Sequence, residues 1–67
     1  MHCRITVDGH LDPTWSEWFA GMTITNIENG KAVLAGTIVD QAALHGVLAK
    51  IRDLGLPLTE VQCKDSR

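Results

Sequence analysis

Apolar and polar residues alternate in some stretches of this chain and follow a helical period in others. Cys3, Ile5 and Val7 are interleaved with Arg4, Thr6 and Asp8, the period of two that a strand with one buried face requires. Gly9 and His10 then begin a turn. Between Leu11 and Gly21, Trp15, Trp18 and Phe19 fall at i, i+3 and i+4, which predicts a short helix with its aromatic side chains turned into the core. Two starts compete for it: Asp12 as N-cap with Pro13 at the first helical position, or Thr14 as N-cap with Glu17 closing a capping box. The first is favoured. Met22 to Ile27 alternates again and leads through Glu28-Asn29-Gly30-Lys31, an Asn-Gly hairpin signal, into a strand from Ala32 to Val39. Leu34 and Ile38 share one face of that strand, and Val33, Thr37 and Val39 the other.

The strongest periodic stretch comes next. Leu44, Val47, Leu48, Ile51 and Leu54 make one apolar stripe on a helix of about four turns. Asp40 is placed to cap its N-terminus, Gly55 to supply the left-handed residue at its end, Leu56 to fold back on Ile51, and Pro57 to forbid continuation. Leu58 to Cys63 reads as a last strand that frays into Lys64-Asp65-Ser66-Arg67. The order β-α-β-β-α-β predicts one domain over residues 1–67, a ferredoxin-like α+β sandwich. It has a four-stranded antiparallel sheet of order 4-1-3-2 with two helices on one face. In that topology strands one and four are antiparallel neighbours. Pairing Cys3 with Cys63 sets Ile5 opposite Val61 and Val7 opposite Thr59, all on one face, and brings the two thiols together.

A chain of 67 residues buries only about 60% of its unfolded surface, so its core is small and self-association is a common remedy. Its 45% hydrophobic content argues against disorder. The net charge of −2 comes with scattered Lys and Arg, which leaves no basic stripe for a nucleic-acid backbone. No apolar run approaches a membrane span and no secretory leader pattern opens the chain, so a soluble cytoplasmic protein is expected. In a reducing cytoplasm Cys3 and Cys63 are expected as free, partly buried thiols, with a reversible cross-strand disulfide as the disfavoured alternative, and with His2 they give only a weak metal signal. No metal or cofactor is expected.

Two segments carry a resemblance. Gly9-x-Leu11-x-x-x-Trp15-x-x-Trp18-Phe19-x-Gly21, with Asp40-Gln41-Ala42-Ala43-Leu44-His45-Gly46 and the ending Ile51-Arg52-Asp53-Leu54-Gly55-Leu56, resembles a group of short uncharacterised prokaryotic proteins over nearly the full length. That likeness implies a compact stand-alone domain and no particular substrate. The run from Gly46 to Leu58 is more distantly similar to the helix and strand of ACT-type regulatory domains, which bind small molecules at subunit interfaces. Those domains place that helix between strands one and two, whereas here it is the second helix, so no ligand site carries over.

Candidate chemistry is sparse. Ala42, Gly46, Ala49 and Asp53 line up on the long helix away from the leucine stripe, and an interior glycine costs about 1 kcal/mol relative to alanine. A close helix-helix contact would justify it, and a merely exposed surface is the alternative. The sheet face away from the core carries Arg4, Thr6, Asp8, Thr23, Thr25, Val33, Ala35, Thr37 and Val39, a β-branched surface suited either to sheet packing or to solvent. It lacks the aromatics with which RNA-binding domains of this topology stack bases. His45 and Arg52 flank the helix ridge and, with Trp18, could line an interfacial pocket, Arg52 as a fixed charge. His10 with Asp12, and His45, are the conceivable bases, but no motif sets a nucleophile beside one.

The reading is a non-enzymatic regulatory or interaction module. It pairs with itself as a dimer or higher oligomer through Ala42, Gly46 and Ala49, or through Thr6, Val33, Ala35 and Thr37. It would hold a small molecule or a partner protein at the interface. The alternatives are a small enzyme or metabolite binder around His45 and Arg52, and an accessory subunit of a larger complex. Nucleic acid and membrane are not expected partners.

Overall fold

The alternating N-terminal residues form β1 (His2–Asp8), and three more strands follow as β2 (Thr23–Ile27), β3 (Lys31–Thr37) and β4 (Leu58–Lys64). One helix, α1 (Gln41–Asp53), connects β3 to β4. The structure is a computed structural model and describes residues 1–19 and 21–64. Ala20, within the expected first helix, and residues 65–67 of the expected fraying end lie outside the described residues. The strands pair antiparallel in the order β2-β3-β1-β4, which is 4-1-3-2 counted from the other edge.

The helical layer overturns the two-helix ferredoxin-like sandwich. Where the first helix was expected, Pro13–Glu17 makes a 3₁₀ segment of five residues. Asp12 caps it, accepting from the Thr14 amide at 3.0 Å, and Pro13 opens it. It then closes on short-range bonds, Trp15 N–H to Asp12 O and Trp18 N–H to Trp15 O, both at 3.0 Å. Such a segment rises only about 10 Å, and so short a stretch does not recover the entropy of nucleating an α-helix. Of the three aromatics expected in the core only Phe19 is buried; Trp15 and Trp18 are 39% and 41% exposed. They stack edge to face on one another with ring centres 5.2 Å apart, and Trp18 stacks the same way on Phe19 at 5.0 Å.

The single helix ends as its sequence dictates. The Asp40 carboxylate accepts from the Ala43 amide at 2.8 Å. At the other end Gly55, at φ 74, donates to Arg52 O, and Leu56 donates to Ile51 O, the paired bonds of a Schellman motif. The stripe then faces the sheet: Val47 and Ile51 are buried, while Leu44, Leu48 and Leu54 pack half-buried at its margins. Cys3, Ile5 and Val7 of β1, Leu34 of β3, Ile24 of β2 and Phe19 complete one core on one side of the sheet. Each fully buried Ile or Leu contributes about 1.5–3 kcal/mol, and cutting Ile51 to Ala would cost about 2–5 kcal/mol.

The register carries two corrections. Cys3 pairs with Cys63 and Ile5 with Val61, but Val7 pairs with Leu58 rather than Thr59. A bulge between Thr6 and Val7 causes the shift: Thr59 is the extra residue, and its hydroxyl donates to Thr6 O at 2.9 Å. The second correction concerns the cysteines, which are bonded to each other rather than free. They sit directly opposite on neighbouring strands with Cα atoms 4.1 Å apart, Cys3 buried in the core and Cys63 exposed on the edge strand. The bond therefore ties edge strand β4 to the central strand β1.

Candidate functional site

Among the described residues, all the buried apolar side chains but Val33 lie on one side of the sheet, and the other side is open. Side chains of His2, Arg4, Thr6 and Asp8 point outward from β1 because the residues between them point into the core. The register then sets the rest of this face in rows across the strands. His2 stands between Thr37 and Lys64, and Arg4 between Ala35 and Gln62. Thr6 stands between Val33 and Glu60, and Asp8 beside Lys31. On β2, Thr23 continues the Arg4 row and Thr25 the Thr6 row.

A groove of about 550 Å³ crosses this face diagonally. Its floor is Val33 and Ala35, with Thr25 and Ile27 at one end and His2, Arg4, Gln62, Cys63 and Lys64 at the other. Arg4 and Lys64 make the second end basic. Among the described residues neither forms an ion pair, whereas Lys31 is paired with Asp8 across the strands further along. Glu60 accepts from the Gln62 side-chain amide at 2.9 Å. The face is therefore polarised along the strands, positive at the His2 end of β1 and negative at Glu60. Val33 is buried even on this open side, because the side chains around it close over a central strand. Ala35 is half-buried and Thr37 exposed.

The residues assigned to a helix-side pocket are spread apart. His45 and Arg52 are both exposed on α1, and Arg52 lines a cavity. That cavity, of about 440 Å³, lies between the end of α1 and the start of β4, with Leu48, Ile51, Leu56, Pro57 and Leu58 around it. Trp18 sits elsewhere, held by Lys50, whose ammonium donates to the Trp18 carbonyl at 2.8 Å and lies 5.3 Å from its ring centre. Ala42 and Gly46 face solvent and Ala49 is half-buried, and a methyl group built at Gly46 would meet nothing within 4 Å.

Two further polar groups serve the fold. A ring nitrogen of His10, Nε2, donates in its protonated tautomer to the Ile27 carbonyl at 3.1 Å. Asn26 holds the Leu11 backbone at both of its polar atoms, accepting from N–H and donating to C=O at 2.8 Å each. The backbone amide and the hydroxyl of Thr14 hold the Asp12 carboxyl below the ordinary aspartate value, outweighing the small opposing effect of desolvation. Asp12 is thus engaged by Thr14 and His10 by the Ile27 carbonyl, rather than by each other.

Among the described residues no three His, Cys, Asp or Glu side chains gather as a metal ion would need. No described helix is long and apolar enough to cross a membrane. Of the groove residues, His2 is anticipated from the sequence only as a weak metal ligand, and Ile27, Gln62 and Lys64 are not singled out at all. Their signal lies in the strand register: once Cys3 faces Cys63, Lys64 and Gln62 stand beside His2 and Arg4.

The structure defines a small antiparallel sheet covered on one side by a single helix and a 3₁₀ segment, with a polarised groove on the uncovered side. The chain belongs to the family described as domain of unknown function (DUF8691), whose pattern matches residues 2–62. No curated protein and no solved structure matches it.

Proposed function

We propose that this domain is a non-catalytic interaction module that associates with itself through the open face of its sheet and holds a small molecule or partner protein at that interface. One observation carries the reading. The groove of about 550 Å³ with its Val33 and Ala35 floor lies on a sheet face that no other described element covers. A grooved, β-branched face of this kind favours packing against a second sheet, and a core of this size gains from association. The cytoplasmic setting favoured by composition would make the Cys3–Cys63 bond the oxidised member of a thiol pair; an oxidising compartment would make it a permanent staple.

The test is sedimentation velocity over a concentration series on wild type, Ala35→Lys and Thr37→Lys, each checked for fold by circular dichroism. Lysine at either position places a charge on the face, and Ala35 stands beside Arg4. Association in the wild type and its loss in the folded variants support the reading. A folded wild type that stays a single chain at the highest concentration refutes it.

The cavity beside Arg52 favours a second reading, an amphipathic anion lodged against Leu48, Leu56 and Leu58 with its charge on the guanidinium. Octanoate-induced shifts in an NMR spectrum, lost in Arg52→Ala, would support it, and equal shifts in both proteins would refute it.

A further inference from the structure

The open face is asymmetric along the strands, and the asymmetry selects one way for two copies to meet. At the His2 end, the rows of His2 with Lys64 and of Arg4 with Gln62 carry two fixed positive charges. In the next row Glu60 is negative, and in the row after it Asp8 is a carboxylate shared with Lys31. Two faces can pack about a two-fold axis in either of two simple ways. With the axis along the strands, each row lies over its own copy. β1 then lies over β3 of the other copy, so each Arg4 stands in the same row as the other Arg4 and one strand spacing aside from it, in a setting where like charges oppose association. With the axis across the strands, one copy is turned end for end. Its His2 row then lies over the Asp8 row of the other copy, and its Arg4 row over the Thr6 and Glu60 row. Each strand lies over its own copy, so Arg4 is offset sideways from the other copy's Glu60 by only about one strand spacing, 4.8 Å, and the two long side chains can meet across the roughly 10 Å between packed sheets. The least charged residues, Val33, Ala35 and Thr25, meet in the middle.

Resting on the proposed sheet-face association, we infer that the partner is a second copy of this chain docked face to face with its strands reversed, so that Arg4 of each copy meets Glu60 of the other. The area sets how tight such a pair is. Four strands of about seven residues present a face on the order of 450 Å² per copy at about 4.8 Å between strands and 3.4 Å per residue. Two such faces bury on the order of 900 Å² in all, below the usual range for a permanent complex. The pair is therefore dissociable, and it weakens with salt as the Arg4–Glu60 contacts are screened.

Charge reversal tests the register directly. Arg4→Glu alone gives copies with only acidic groups at the two contacts, and Glu60→Arg alone gives copies with only basic ones. Each single variant is expected to associate about tenfold more weakly than wild type, since two attractive contacts become repulsive. An equimolar mixture of the two variants restores both contacts and is expected to form a mixed pair near wild-type affinity, detected by sedimentation with one variant fluorescently labelled. If both single variants associate as tightly as wild type while Ala35→Lys does not associate, the reversed register is refuted and the sheet-face reading stands. If the wild type associates and folded Ala35→Lys does so equally well, the sheet face itself is wrong. A mixture no tighter than either variant alone also overturns the Arg4–Glu60 contact.

Discussion

Reducing the Cys3–Cys63 bond releases two residues separated by 60 positions, nearly the whole chain. In the chain-entropy treatment a cross-link closing a loop of that length removes roughly 14 cal/mol/K from the unfolded ensemble, about 4 kcal/mol at 25 °C. A domain of this size has a total stability of only about 3–10 kcal/mol, so the bond supplies a large share of it. The bond also pins β4, an edge strand whose side chains are almost all exposed and whose main apolar hold on the core is Val61. Urea unfolding followed by circular dichroism, with and without a phosphine reductant, measures the effect. With a slope of about 1 kcal/mol per molar urea for so short a chain, reduction is expected to lower the midpoint by about 3–4 M. If the oxidised midpoint is lower than that, reduction unfolds the protein outright. Cys63→Ser is the control, because it breaks the bond at its exposed end and leaves the Cys3 side chain in the core. It is expected to unfold near the reduced wild type and to ignore reductant. A midpoint shift below about 0.5 M, with both thiols shown free by alkylation, would refute the view that this bond stabilises the fold.

Gly46→Ala is expected to raise stability by about 0.5–1 kcal/mol in urea melts, because the helix position is open and no neighbour blocks a methyl group. Gly46→Leu is expected to leave the oligomeric mass unchanged, and a loss of association on sedimentation would move the interface to the helix ridge. Asn26→Ala leaves the Leu11 N–H and C=O without their partner and is expected to cost about 1–3 kcal/mol, read from the same melts. The Asp12 carboxyl, titrated by NMR, is expected below the ordinary aspartate value and to move upward in Thr14→Ala. Because its folded pKa is depressed, the cap's contribution is complete above the unfolded-state value and is lost as pH falls through the folded one.

Much of the strand pattern and the long helix was legible because each rests on local rules. Asp40, Gly55 and Pro57 bound α1 by capping chemistry that acts within a few residues, and the Leu44-to-Leu54 stripe needs only a sheet to face. The two-helix sandwich failed because an i, i+3, i+4 spacing over Trp15, Trp18 and Phe19 says where side chains point only if the backbone is an α-helix. A 3₁₀ segment turns faster and leaves the indoles outside. The Thr59 bulge was hidden for a related reason: alternation reports faces and is silent on a residue inserted between pairs. The cysteine bond was obscured by an assumption about compartment, although the pairing that places the two residues together was readable from the register. Of the open face, Arg4, Thr6, Val33, Ala35 and Thr37 were visible as an outward set. The groove itself depends on how four strands stack their rows, which no single stretch of sequence displays.

The sheet face as the working surface is tested most directly by sedimentation velocity of oxidised wild type beside Ala35→Lys, from a few to several hundred micromolar. The account predicts that the wild type shifts with concentration from its chain mass of 7.3 kDa toward twice that value, while folded Ala35→Lys stays at the single-chain mass throughout. A wild type that remains a single chain at every concentration, or a variant that pairs as well as wild type, would contradict it.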